Sequence, residues 1–199
     1  LDELSDEPDE DDEDAPARDA ASEVMGMRKV AELSQRLITL RTVPEQLDAL
    51  LDAVIEATSA KKGFVILMRD GAPLIAAARN VDKRSIPEGV TQLSDSIVKR
   101  VLETKRPVIV SDARQDTLFR SAVSVLNLRL SSVMAAPLFA RGELFGIIYL
   151  GNDDVISLFE SASLDLLAIF SGQASLALEN ALLLDQLTLD RDTLAKSLE

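Results

Sequence analysis

The sequence predicts an α+β domain with a largely antiparallel sheet, and three observations carry that expectation. Two stretches, "GFVILMRDGAPLIAAARN" and "SSVMAAPLFARGELFGIIYLGN", each join two short apolar runs across a turn that contains glycine, the signal of a β-hairpin. Helical periods flank these hairpins instead of alternating with single strands, which segregates helices from sheet. The second hairpin is apolar at residues of both parities: Val133, Met134, Ala135, Ala136 and Leu138, then Phe145, Ile147, Ile148 and Leu150. A hairpin with one wet face alternates apolar and polar residues, so both faces of this one should be covered.

Taken in order, residues 1–22 read as an acidic disordered linker, polar and strongly charged, with two prolines and too little apolar surface to order itself. Val30, Leu33, Leu37 and Leu40 then recur at helical a/d spacing, which predicts an amphipathic helix over residues 23–41. Pro44 stands where a second helix would begin, a place that tolerates its missing N–H. Leu47, Leu50, Leu51, Val54 and Ile55 give that helix a broad apolar stripe. The first hairpin follows, with Pro73 predicting a turn longer than two residues around Asp70-Gly71. In "LSDSIVKRVLETKRP", Ser94 or Ser96 is placed to cap a helix that carries Ile97, Val101 and Leu102 and ends before Pro107. "VIVSD" reads as a short strand, "DARQD" as a polar loop and "TLFRSAVSVLNL" as a short helix. After the second hairpin, one helical pattern runs from about Ser157 to the end, with no Gly or Pro beyond Gly172.

The end of that helix needs a partner. Asn180, Leu184, Leu187, Arg191, Leu194 and Leu198 alternate at spacings of four and three, which is a heptad seam with two polar positions. The expected partner is the same helix of a second chain, helped by Leu33, Leu37 and Leu40 of the first helix; the alternative is that it folds back on its own domain. Residues 189–199 are read as the continuation of this helix beyond the domain.

Charge and composition narrow the function. The net charge is −13, but residues 1–23 carry 12 acids and one Arg, while the remaining 176 residues carry 22 acids and 20 bases. The folded part is nearly neutral, which argues against direct nucleic-acid binding. No signal-peptide pattern and no uninterrupted apolar run of membrane-spanning length occur, so a cytoplasmic protein without a membrane partner is expected. The first residue is Leu, which predicts a piece of something longer. With neither His nor Cys in the chain, Ser-His-Asp and thiolate mechanisms, His- or Cys-ligated metals and thioether-linked chromophores are excluded. Phosphate-binding glycine motifs are missing as well. An enzyme, a metal site and a covalent cofactor are not expected.

Three stretches resemble one family. "SSVMAAPLFARGELFGIIYLGN" is similar to the signature of GAF domains, and "FSGQASLALENALLLDQL" to their closing helix. "SDSIVKRVLETKRPVIVSDARQDTLF" resembles their central helix, strand and loop. The resemblance spans about residues 24–188, and the sensory domain is placed at 23–188. It implies a sheet of five or six antiparallel strands between two helical layers, with long terminal helices. The first, second and last helices would cover one face and form the dimer. The helix at 94–104 and residues 112–128 would cover the other and enclose a small-molecule pocket. Cyclic-nucleotide binding is not favoured, since Asn152 precedes Asp153 and Phe159 is followed after three residues by Ser163-Leu164, unlike the family's Asn-Lys and Phe-x-x-x-Asp-Glu.

The look of residues 128–150 is most like the GAF domains of bacterial sigma-54-dependent activators, which implies a forkhead-associated domain upstream and an AAA+ domain downstream. The expected role is a regulatory sensory and dimerisation domain that relays a small-molecule or conformational signal through its last helix. The alternatives are a GAF domain of a sensor kinase or cyclase, and a ligand-free structural dimerisation module. Candidate ligand contacts are Arg79, Ser94, Ser96, Ser111, Asp112 and Arg114 among polar residues, with Phe119, Met134 and Ala136 as apolar lining.

Overall fold

A computed structural model of the chain describes residues 15–40, 42–69, 71–84, 96–122, 126 and 128–197. Helices α1 (Ala15–Thr39) and α2 (Val43–Thr58) lead into β1 (Lys62–Arg69) and β2 (Ala72–Asn80). Helix α3 (Ser96–Thr104) and the short β3 (Val108–Val110) follow. Strands β4 (Ser132–Ala140) and β5 (Glu143–Asn152) form the second hairpin, and α4 (Ser161–Ser197) closes the chain. The five strands make one sheet in the order β2-β1-β5-β4-β3, with every neighbouring pair antiparallel.

Local chemistry accounts for the element ends. Thr42 caps α2 in a capping box: its hydroxyl accepts the Glu45 N–H, and the Glu45 carboxylate accepts the Thr42 N–H. Pro44 sits in the first turn of this helix, as its missing N–H allows. The first hairpin is tighter than expected, because Pro73 lies within β2 opposite Met68 and Ala72 pairs with Arg69. β2 is an edge strand, where a proline with no donor is tolerated. Helix α1 begins at Ala15, eight residues before the expected start at residue 23. Ala15, Ala17, Ala20 and Ala21 carry high intrinsic helix propensity and extend the helix past its packed face. The remainder of the acidic stretch, residues 1–14, lies outside the described residues.

Both faces of the sheet are covered, which explains the unbroken apolar character of β4 and β5. On one face Val65, Met134, Ala136, Leu138, Ile148 and Leu150 pack with Leu33 and Leu37 of α1, the α2 stripe, and Leu167, Phe170, Ala174 and Leu178 of α4. On the other, Phe64, Ile66, Val133, Ala135, Ile147 and Tyr149 pack under Ile97, Val98 and Val101 of α3. Ala113, Phe119, Ala122, Leu128 and Leu130 complete that layer. The Phe64 and Tyr149 rings meet edge to face, with centroids 6.1 Å apart, the geometry that aromatic quadrupoles favour.

Within α4, Ser161–Asn180 has a mean hydropathy of 1.3 over its most apolar part, similar in length and composition to a membrane span. Here one side of that segment supplies core residues against the sheet. The outward side carries Ile169 and Leu176, and Leu183 continues it beyond Asn180; all three are exposed.

Candidate functional site

The site implied by the sequence was a pocket under α3 with polar groups gathered around it. The structure distributes the candidates over both faces. Phe119 is buried in the α3-side layer. Ser96 is exposed at the start of α3, while Ser94 lies outside the described residues.

Ser111, Asp112 and Arg114 cluster at the end of β3 and are engaged in holding the loop together. The Ser111 carbonyl accepts the Ser157 N–H at 2.6 Å. Asp112 accepts the Gln115 N–H at 3.2 Å through its carboxylate and the Asp116 N–H at 2.9 Å through its carbonyl, the local pattern of an Asx turn. Arg114 Nη2 donates to the carbonyls of Arg129 at 2.6 Å and Asp153 at 3.1 Å, tying this loop to the end of β5.

Three candidates sit on the opposite face, and the parity assumed for the pocket is corrected accordingly. Met134 and Ala136 belong to the core beneath α1, α2 and α4, whereas their neighbours Val133 and Ala135 face α3. Arg79 also turns away from α3. Its Nε and Nη2 donate to the two Asp52 carboxylate oxygens of α2, both at 3.0 Å, and Asp48 lies 3.6 Å from Nη1. The hydrogen bond to Asp52 outweighs burial and raises the Arg79 pKa above its already high ordinary value. This fork-to-carboxylate pair is a structural tie between β2 and α2.

The expected dimer residues divide similarly. Leu33 and Leu37 are 2% and 6% exposed inside their own protomer, covered by α2 and α4, so they are core residues and not an outer seam. Leu40 is half-buried against the same core, and Asn180 is exposed. The side chains of Leu184, Leu187 and Leu194 lie outside the described residues. The exposed apolar stripe of α1 runs instead through Val24, Met27 and Ile38.

One polar cluster escaped the sequence reading. Lys62 Nζ donates to the Asp153 carboxylate and to the Leu128 carbonyl at 3.1 Å, and Lys61 pairs with Asp154. Buried Asn152 accepts the N–H groups of Asp154 at 2.8 Å and Val155 at 2.9 Å, fixing the turn that carries both acids. Two adjacent lysines and two adjacent acids were a legible signal, but only the antiparallel register of β1 on β5 shows that they meet. Burial pushes the Asp153 carboxyl up, while the Lys62 hydrogen bond and charge, a backbone hydrogen bond and Lys61 together bring it below its ordinary value. A carboxyl whose folded pKa is depressed stabilises the fold above its unfolded value of about 3.9 and loses that contribution as the pH falls through the folded value. The urea midpoint should therefore fall as pH drops below about 4. In Asp153→Asn the same titration should be shallower; parallel curves for the two proteins would contradict the assignment.

Among the described residues no group of three or more acidic, His or Cys side chains comes together to hold a metal. The polar groups beside the α3-side core serve the chain itself: the Ser131 and Ser132 hydroxyls donate to the carbonyls of Asp153 and Val155, both at 2.9 Å. Polar contacts also tie α4 to the rest among the described residues. Ser34 Oγ donates to Gln173 Oε1 at 2.9 Å, and Arg141 of the β4–β5 turn donates to Glu179.

A five-stranded antiparallel sheet between α1, α2 and α4 on one side and α3 with its loop on the other defines a three-layer α+β domain. A family model for the GAF domain matches residues 41–179, and the chain belongs to that family. The GAF domain of a phosphoenolpyruvate-protein phosphotransferase from Acinetobacter superposes with a TM-score of 0.65 at 18% identity, covering 79% of this chain and 94% of that one. Free methionine-R-sulfoxide reductase from Neisseria meningitidis, in complex with its substrate, superposes at 0.64 with 12% identity, covering 79% of this chain and 90% of that one. At these identities the likeness is one of fold. Hybrid signal transduction histidine kinase G of Dictyostelium discoideum is 27% identical over 94 residues, which are 47% of this chain and 3% of that protein.

Proposed function

We propose that this chain is the regulatory sensory and dimerisation domain of a larger signalling protein, and that it relays its state through α4. The observation that carries the proposal is the continuity of α4. Leu167, Phe170, Ala174 and Leu178 anchor it in the core, and the same helix continues 19 residues further, to Ser197. At about 1.5 Å per residue that is a lever of about 28 Å. A repacking of the sheet that moves Phe170 moves whatever follows. With neither His nor Cys in the chain, Ser-His-Asp and thiolate mechanisms have no residues to use, which supports a regulatory role.

Dimerisation through α4 is supported by the exposed residues Ile169, Leu176 and Leu183, spaced by seven. With Asn180 they run straight into the heptad pattern of Leu187 and Leu194 read from the sequence. The double substitution Leu183→Glu/Leu187→Glu should convert a dimer into a monomer in sedimentation, with the circular dichroism of the sheet unchanged. A dimer that survives both charges would remove the α4 seam from consideration.

The resemblance of residues 128–150 to sigma-54-dependent activators supports a finer reading, in which α4 leads to an AAA+ domain and the acidic stretch follows a forkhead-associated domain. In that reading the protein works in the cytoplasm and contacts DNA only through another domain. Sequencing the gene beyond Glu199 tests it: an AAA+ module there supports the reading, and a kinase or cyclase module replaces it.

A further inference from the structure

A groove of about 440 Å³ lies on the α4 side of the sheet, at its open edge. The cause is topological. β3 is three residues long and pairs with Val133, Met134 and Ala135, so among the described residues β4 has no outer neighbour in the sheet from Ala136 onward. α4 passes beside this open edge, and the residues it contributes include the small Ala168, Gly172 and Ser175. A Cβ placed on Gly172 would meet nothing within 4 Å among the described residues, so the space in front of it is open to a ligand. The apolar walls are Pro107, Ala136, Pro137, Phe139, Leu164 and Ala168.

Two polar groups in this groove are unmatched. Lys105, in a left-handed conformation just past α3, is exposed and makes no ion pair among the described residues; the equally exposed Arg106 follows it. Ser171 lines the groove, is 6% exposed, and its buried Oγ has no hydrogen-bond partner among the described residues. Leaving a buried hydroxyl unpaired is costly, and such groups in pockets usually find their partner in a ligand or the water it orders. A hollow within the ordinary size range of small-molecule sites, with apolar walls, an unpaired hydroxyl and a cationic rim, is complementary to one ligand chemistry.

We propose that this groove binds a small monocarboxylate with an apolar chain or ring. Its carboxylate meets Lys105, and its apolar body lies against Pro137, Phe139 and Leu164. The site is separate from the α3 face, and one of its walls is α4 itself. That occupancy would bias the relay rests on the function proposed above; the binding does not.

The test is a nuclear magnetic resonance titration of the 15N-labelled chain with sodium octanoate below its micelle concentration. Saturable shifts are expected at the amides of Phe139, Ala168, Gly172 and Ser175. Lys105→Glu, an exposed position, should weaken binding by about tenfold or more. Gly172→Leu, which fills the open space, should abolish it. Octylammonium, with the same chain and the opposite charge, should give no saturable shift. The proposal is overturned by no saturation, by equal binding to Lys105→Glu, by equal binding of octylammonium, or by shifts confined to Phe64, Phe119 and Tyr149. Sedimentation of the same samples reads the dimer independently: a dimer that does not bind octanoate removes the groove alone, and octanoate binding by a monomer removes the α4 dimer alone.

Discussion

Arg79→Ala is expected to cost about 3 kcal/mol of folding stability while leaving any ligand binding under α3 intact. The Arg79 side chain is 14% exposed and that of Asp52 is 7% exposed, so removing the guanidinium strands a carboxylate that water hardly reaches. Breaking a buried pair from one side costs about 3–5 kcal/mol, more than the pair itself contributes. The lower end applies here, because the vacated volume lets some water reach Asp52. The pair also joins two elements: β2 is an edge strand, and its Ala77 and Arg79 are what turn towards α2. The double substitution Arg79→Met/Asp52→Leu should recover most of the loss, since two apolar groups of similar volume need no counter-charge. Urea unfolding of the two singles and the double gives the coupling directly. A loss below about 1 kcal/mol in Arg79→Ala, with no recovery in the double, would show that the pair does not hold β2 to α2.

That Arg79 reads as a ligand contact in the sequence and as a strut in the structure shows where sequence reasoning stops. A cation beside Asn80 at the end of a strand looks like a site because its partner, Asp52, lies 27 residues away on another element. The elements themselves were legible wherever a period or a stop signal was strong: Pro44 for α2, the two hairpins, the long run of α4. Which face Met134 and Ala136 serve was not legible for a definite reason. Period-two alternation assigns faces only when one face is polar, and β4 is apolar at both parities. Leu33 and Leu37 show the same gap in a helix. Their a/d spacing says that they need a cover but not that α2 and α4 of the same chain supply it. The groove beside Lys105 had no signal at all, since it arises from the shortness of β3 relative to β4.

Gly146→Ala should cost about as much as the loss of Arg79, and for an unrelated reason. Gly146 pairs with Leu67 on one side and Leu138 on the other, in the middle of the sheet. A Cβ there would stand 2.6 Å from the Ile66 carbonyl oxygen and 3.0 Å from Leu67 Cδ2. The first of these is backbone and cannot rotate away, so the β1–β5 pairing itself must yield. Overpacking of this kind costs about 1–3 kcal/mol, and the upper end is expected where the obstacle is main chain. The position sits beside an irregularity: Leu138 faces Gly146, but Phe139 faces Leu144, so β5 carries one extra residue. Bulges disrupt the ladder locally, so Gly146 lies next to a point where the β4–β5 pairing is already irregular. The control is Gly172→Ala, which adds the same methyl group in a helix, where its Cβ meets open space. It should gain about 0.5–1 kcal/mol, the usual return for replacing a helical glycine. The pair of measurements separates two reasons for a small residue in this fold. If Gly146 were small to admit a ligand, alanine would weaken binding and spare stability; if the approach of two strands requires it, stability falls and binding follows only as far as the fold does.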